Sequence, residues 1–265
     1  MVSYDRLLKD ILKQLQLDNS NPENETFRLL FILSFDKLKN AEVTNPLAHH
    51  LIVLKNMIII SKEENLNLLV AGAISILHDI GPIKKIRVAD VETEADKDKK
   101  KLLDQQRIQN RTLHMREGSA LAKRQLLLLN EYSGKVIYTD KDIDAVCEVI
   151  GIHDNPSIGI PIPPKNKIAA SFREADRLWM LSDEGFAFNL HRDSRKMKDT
   201  TDNRSLASKR LEHVLKRYQQ ERNLYSNEDG PFQNNKLFFR TKAGYQLYQQ
   251  YLQERKHQYG IKEST

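Results

Sequence analysis

The 265-residue sequence predicts an all-α protein. Three observations carry that expectation. Apolar residues recur at helical spacing through most of the chain, so that successive segments each have one face to bury. Turn clusters separate these segments: Asp18 to Pro22, Gly81-Pro82, and the proline-rich stretch Asn155 to Lys167. Strand signals are weak, with Lys135 to Thr139 and Lys236 to Arg240 the only candidates.

Taken in order, residues 1–18 read as an amphipathic helix carrying Leu7, Leu8, Ile11, Leu12 and Leu15, and residues 23–39 as a second with Phe27, Leu30, Phe31, Leu33 and Phe35. Residues 47–61 form a third. Residues 65–79 form a fourth that is apolar nearly all round, from Leu66 through Leu77, which marks a central, buried helix. Residues 87–111 are charge-dense and predict a solvated helix or lid, with Asp96 to Lys101 in the middle. Helical periodicity resumes over 113–130, ending in Leu126 to Leu129, and again over 141–153 with Ile143, Val146, Val149 and Ile150. Asn155 to Lys167 is a loop, and residues 168–181 return to helix with Phe172, Ala175, Leu178 and Trp179. His191 to Asn203 reads as a polar linker, residues 205–223 as a basic amphipathic helix, 223–235 as a loop, and 241–257 as a last helix rich in Tyr and Gln. There is no internal repeat and no low-complexity tract.

The totals bound the function classes. A chain 40% hydrophobic and 29% charged can bury a core and stay soluble. A single cysteine, Cys147, excludes an intrachain disulfide and a Cys-rich zinc site, and fits a reducing, cytoplasmic compartment. Cys147 lies in the apolar pattern Val146, Val149, Ile150, as a buried inert thiol would. The first 17 residues mix charge with leucine and show no signal peptide. No window reaches the roughly 18 apolar residues of a membrane span. The net charge of +6, with a pI near 9.2, is that of an ordinary basic protein or of one that draws anions such as nucleotides or nucleic acid.

The chemistry concentrates where the fourth helix ends, in Leu77-His78-Asp79-Ile80-Gly81. Burying an imidazole and a carboxylate at the end of an apolar run is costly without a partner, and a divalent metal is the usual one. Other histidines and acids fall in phase with apolar faces. His49 shares a helical face with Val53 and Ile60, and His114 with Leu121 and Leu128; His153 follows Val146, Val149 and Ile150, and Asp176 sits between Phe172 and Trp179. Metal sites in helical bundles are built from such inward side chains on facing helices. Any one of these histidines alone is as readily a core histidine bonded to a carbonyl; six coinciding residues are not. His50 competes with His49, and since helix neighbours point about 100° apart only one faces a common point; the phase with Val53 selects His49.

The order His49, His78-Asp79, Asp176 resembles the HD superfamily of metal-dependent phosphohydrolases. His49 to Val53 is similar to that family's first-ligand helix, and Phe172 to Leu178, with its Ala-Asp-Arg-Leu string, to its last-ligand helix. The likeness covers roughly residues 45–185. It implies a helical bundle at 41–190 with extra N-terminal helices at 1–40 and a C-terminal helical extension at 191–265. His114 and His153 fall where two-metal members place two further histidines, so His49, His78, Asp79, His114, His153 and Asp176 would hold two ions with Asp79 bridging; with one ion, His114 and His153 would contact substrate phosphate. The donors are all N or O, which suits Mn, Fe, Co, Ni, Zn or Mg.

The activity implied is hydrolysis of a phosphomonoester or phosphodiester, of a nucleotide or related phosphate, by hydroxide formed at neutral pH on a divalent ion, with His78 and Asp79 at its centre. Lys84, Lys85, Arg173 and Arg177 are candidates to hold substrate phosphate, or are solvated surface charge. Asp154 either orients a ligand or caps the next turn. No Gly-Tyr-Pro follows His114 and no Glu-Asp follows the HD pair at the alarmone-hydrolase spacing, which sets those two subfamilies aside. Two other readings stand: a di-iron oxygenase on the same ligands, and a non-catalytic nucleotide-binding module whose helix bearing Lys209, Arg210, Lys216 and Arg217 meets nucleic acid.

Overall fold

The structure is a computed structural model that describes residues 22–41, 47–82, 97–163, 165–194, 202–224 and 237–261. Among these the protein is all-helical, without strands, and no helix is long and apolar enough to cross a membrane. The helices are α1 (Pro22–Ala41), α2 (Leu47–Glu63), α3 (Leu68–Leu77), α4 (Lys97–Ser133), α5 (Asp140–Ile152), α6 (Lys167–Leu178), α7 (Asp183–Ser194), α8 (Asn203–Arg222) and α9 (Lys242–Gln258). Short 3₁₀ turns lie at Asn155–Ile158 and Trp179–Leu181. The expected first helix over 1–18 lies outside the described residues.

The core is organised on α3. Its N-terminus is capped by Asn67, whose side-chain oxygen accepts from the Val70 N–H at 3.2 Å. Every residue from Val70 to Leu77 is buried, as a helix apolar on all sides requires. It packs against α1, α2, α5 and α6. Each fully buried Ile or Leu there contributes about 1.5–3 kcal/mol. Gly72 lets α1 approach: a Cβ there would lie 2.1 Å from the Phe27 ring.

A polar thread ties α2, α6 and α9. The buried Asn56 donates to the Ala175 carbonyl at 3.1 Å and accepts from the Tyr251 hydroxyl at 2.8 Å. From α6, the buried Glu174 accepts from the backbone N–H groups of Arg240 and Thr241 and from the Thr241 hydroxyl, which in turn caps α9.

The structure departs from the sequence expectations in four places. The break near residue 112 is absent: α4 runs through it for 37 residues, so the charge-dense segment from 97 onward belongs to the same helix as His114. Lys135 to Thr139 is no strand; Asn130 folds it into a turn, and Thr139 opens α5 as half of a capping box with Asp142. The described part of Lys236 to Arg240 is irregular. Finally, α7 occupies a stretch without a predicted helix and runs into the expected linker; it follows directly on Ser182, whose hydroxyl accepts from the Gly185 N–H at 3.1 Å.

Candidate metal centre

Four helix ends and one helix middle deliver the six candidate residues. His78 is the C-cap of α3, still helical, with its N–H bonded to the Ile74 carbonyl at 2.9 Å. Asp79 follows as the chain leaves the helix. Gly81 then passes so close to α4 that a Cβ on it would sit 2.2 Å from the His114 carbonyl oxygen. Only glycine allows this approach, and it brings His114, in the middle of α4, against the end of α3. His153 is the C-cap of α5, His49 lies in the first turn of α2, and Asp176 in the last turn of α6.

The four histidines converge on Asp79, while Asp176 meets the cluster through His49 and lies in neither group of converging donors. Its Oδ2 lies 3.5 Å from His78 Nε2 and 3.7 Å from His49 Nε2. Its Oδ1 lies 3.2 Å from His114 Nε2 and 3.5 Å from His153 Nε2. The two oxygens of one carboxylate therefore face two different imidazole pairs. The Nε2 atoms of His49 and His78 are 2.9 Å apart, and Asp176 Oδ1 is 3.4 Å from His49 Nε2. His49, His78 and Asp79 form one group of converging donor atoms, and Asp79, His114 and His153 a second.

The chemistry of the donor set fits divalent ions. Three imidazoles are fixed from behind: the Nδ1 atoms of His78, His114 and His153 face the carbonyls of Ser75 at 3.0 Å, Gly81 at 3.0 Å and Ile150 at 2.7 Å. That assigns the proton to Nδ1 and aims the Nε2 lone pair into the cluster, the backing that metal-ligating histidines need. Buried and without a hydrogen-bond partner, His153 Nε2 is an orphan that an ion would satisfy. Burial, reinforced by the neighbouring His78, pushes His49 down to about 4, so it is neutral at pH 7 and free to donate. Burial works to raise Asp79, but His78, His114 and His153 outweigh it and hold the carboxyl well below its usual range. His153 moves upward, because Asp154 and Asp79 outweigh its burial.

His50 is buried as well, its ring 4.9 Å from that of His78, but it lies outside both groups of converging donors.

Behind Asp176 stands a guanidinium that sequence reasoning aimed elsewhere. Arg173 is 1% exposed. It donates to Glu221 from Nε at 3.0 Å and from Nη2 at 2.8 Å, a bidentate pair. Its Nη1 donates to the His153 carbonyl at 3.2 Å and to Asp176 Oδ2 at 3.3 Å, with Asp154 Oδ1 at 3.7 Å. Arg173 is therefore a brace for Asp176 and His153, not a free hand for substrate; its N–H groups are taken. Asp154 stands at the N-cap of the 3₁₀ turn without a side-chain capping bond, pairs with Arg111 and accepts from the Ser157 hydroxyl at 3.1 Å. Glu221 also takes Arg177 Nε, and Arg177 Nη1 is 3.7 Å from Asp176 Oδ2. Sequence reasoning missed Glu221; the only available signal was one acid repeating the apolar phase of α8, at offsets of three, seven and ten from Tyr218, Val214 and Leu211. Lys84 and Lys85 lie outside the described residues.

Beside the centre opens a cavity of about 610 Å³ between α4, the turn after α5, α6 and α8. Arg107, Arg111, Arg177, Lys216 and Arg217 line it.

Comparison of the chain with protein-family models, with curated proteins and with solved structures finds no match. Its own residues establish an all-α protein whose core holds a buried histidine and aspartate cluster able to bind divalent metal.

Proposed function

We propose that this chain is a metal-dependent phosphohydrolase of the HD type, acting on a phosphomonoester or phosphodiester. One observation carries the reading: Asp79 presents its two oxygens to two separate imidazole pairs, so that this one carboxylate would serve two ions if both were bound. His49, His78 and Asp176 would complete one ion's protein ligands, and His114 with His153 the other's. When bound, such ions supply Lewis acidity toward phosphoryl oxygens and activate water at neutral pH.

The chain's own residues do the rest. Backbone carbonyls hold the imidazoles in the ligating tautomer, so no proton has to move for them to donate. Arg173 fixes the Asp176 carboxylate and is itself fixed by Glu221, which makes both positioning residues. Arg177 reaches from Asp176 into the adjacent cavity, where its outer nitrogen can meet a phosphoryl oxygen. Order of this kind is what lowers the reorganisation cost of stabilising developing charge.

The test is hydrolysis of p-nitrophenyl phosphate and bis-p-nitrophenyl phosphate with added Mn²⁺ or Co²⁺, alongside elemental analysis. Activity with metal, abolished in the His78→Ala/Asp79→Ala double variant, is the expected result. Activity that survives the double variant overturns the assignment. Stoichiometric iron after aerobic purification, with no hydrolysis by any metal form, moves the site to oxygen chemistry.

A further inference from the structure

Three helices bring cations to one cleft. On α4, Arg107, Arg111 and His114 follow at offsets of four and seven, so they share a face, with the metal-ligand candidate at one end. Arg111 precedes His114 by three residues, about 4.5 Å along the helix axis. From α6 comes Arg177, adjacent to Asp176, and from α8 come Lys216 and Arg217. The floor is Ser157, whose carbonyl accepts from Arg107 Nη2 at 2.7 Å and whose hydroxyl lies 3.4 Å from Nη2 of both Arg173 and Arg177.

Counter-charge does not keep pace. Arg111 is taken by Asp154 and Arg177 by Glu221. Arg107, Lys216 and Arg217 have no carboxylate within ion-pair distance among the described residues. The Arg177 guanidinium crowds Arg217, with burial, and pushes it down to about 10. Gathering like charges costs free energy, and an anion in the cleft would recover it.

We propose that this cleft binds the non-reacting phosphates of a small substrate carrying two or more phosphate groups. The role of the metal centre, that of holding the reacting phosphate, rests on the phosphohydrolase reading; the cleft's affinity for polyphosphate does not. Four of the five cations are arginines, whose planar forks match tetrahedral oxyanions through paired hydrogen bonds. A volume of about 610 Å³ is that of a small-molecule pocket, and the cleft is concave and walled by helices, not an open stripe along which a polymer would lie. Selectivity then comes from a second, fixed anion subsite next to the reacting position, so that a monophosphate would bind with only part of the available contacts.

The experiment is calorimetry on the full chain, purified without added metal, with inorganic tripolyphosphate and orthophosphate as probes. Tripolyphosphate is expected to bind at one site, and removing a cation is expected to weaken it about tenfold in Lys216→Gln/Arg217→Gln and again in Arg107→Gln. Lys216 and Arg107 are exposed, and unchanged thermal unfolding of both variants shows that the fold is kept. The proposal is overturned if tripolyphosphate does not bind, if it binds no tighter than orthophosphate, or if the variants bind it as the parent does. It is also overturned if single-stranded RNA binds more tightly than tripolyphosphate, with affinity rising with length. A protein that binds tripolyphosphate but hydrolyses no phosphoester refutes the phosphohydrolase reading alone; hydrolysis without tripolyphosphate binding refutes the cleft alone.

Discussion

Glu221→Ala removes the counter-charge of Arg173, the most deeply buried cation among the described residues. In the parent, Glu221 accepts two hydrogen bonds from Arg173 and one from Arg177. Breaking a buried pair from one side costs about 3–5 kcal/mol, because the surviving charge stays desolvated. Arg173 keeps Asp176 and the His153 carbonyl, and Asp154 nearby, so the lower end, about 3 kcal/mol, applies here. For a chain of this length that lowers the melting temperature by about 6–12 °C. The assay is urea and thermal unfolding followed by circular dichroism, with divalent-metal affinity measured in parallel. With Arg173 no longer fixed by Glu221, Asp176 is held less firmly, and metal affinity is expected to fall about 10- to 100-fold. An apolar replacement of the pair, Arg173→Met with Glu221→Leu, recovers most of the stability. It does not recover metal affinity, since of the two guanidiniums only Arg177, at 3.7 Å, then remains beside Asp176. A loss below about 1 kcal/mol in Glu221→Ala, the range of exposed ion pairs, refutes the buried-brace argument.

Further outcomes follow from the same geometry. Burial works to raise the Glu221 carboxyl, but Arg173 and Arg177 outweigh it and hold the pKa below its ordinary value. Its contribution is therefore complete above the unfolded carboxyl value, near 4.3, and is lost as the pH falls through the lower folded value; Glu221→Gln, scanned by thermal unfolding, will show a shallower acid limb. Asp79→Asn is expected to empty both halves of the centre, from about two ions per chain to about none, whereas His114→Ala with His153→Ala leaves about one, by elemental analysis. Gly81→Ala drives a methyl into the backbone of α4 and costs about 3 kcal/mol, the upper end for overpacking, in urea unfolding. Tyr251→Phe leaves the buried Asn56 oxygen without that donor and costs about 1–3 kcal/mol by the same measurement.

His49, His114 and His153 were legible because a buried polar side chain repeats the phase of the apolar face around it, and His78-Asp79 because the pair ends an apolar run. His49 over His50 followed from phase with Val53, and the structure brings His49, not His50, to Asp79. What was not legible depends on partners far along the chain. Arg173 carries the same register as any substrate-facing arginine, and only Glu221, 48 residues later, turns it inward. The continuity of α4 was hidden because its N-terminal half is solvated and so has no apolar phase to follow. Helix α7 was hidden for the opposite reason: it buries little beyond Gly185, Phe186 and Asn189, too few positions to set a period.

The uninterrupted α4 makes one rigid shaft of two tasks. It carries His114 and, one and two turns earlier, Arg111 and Arg107. Inserting a single residue between 107 and 114 would rotate one set against the other by about 100°, swinging the arginines away while the histidine stays. Length variation in related chains should therefore be tolerated in the segments that flank this rod and forbidden inside that seven-residue interval, where spacing is as binding as residue identity.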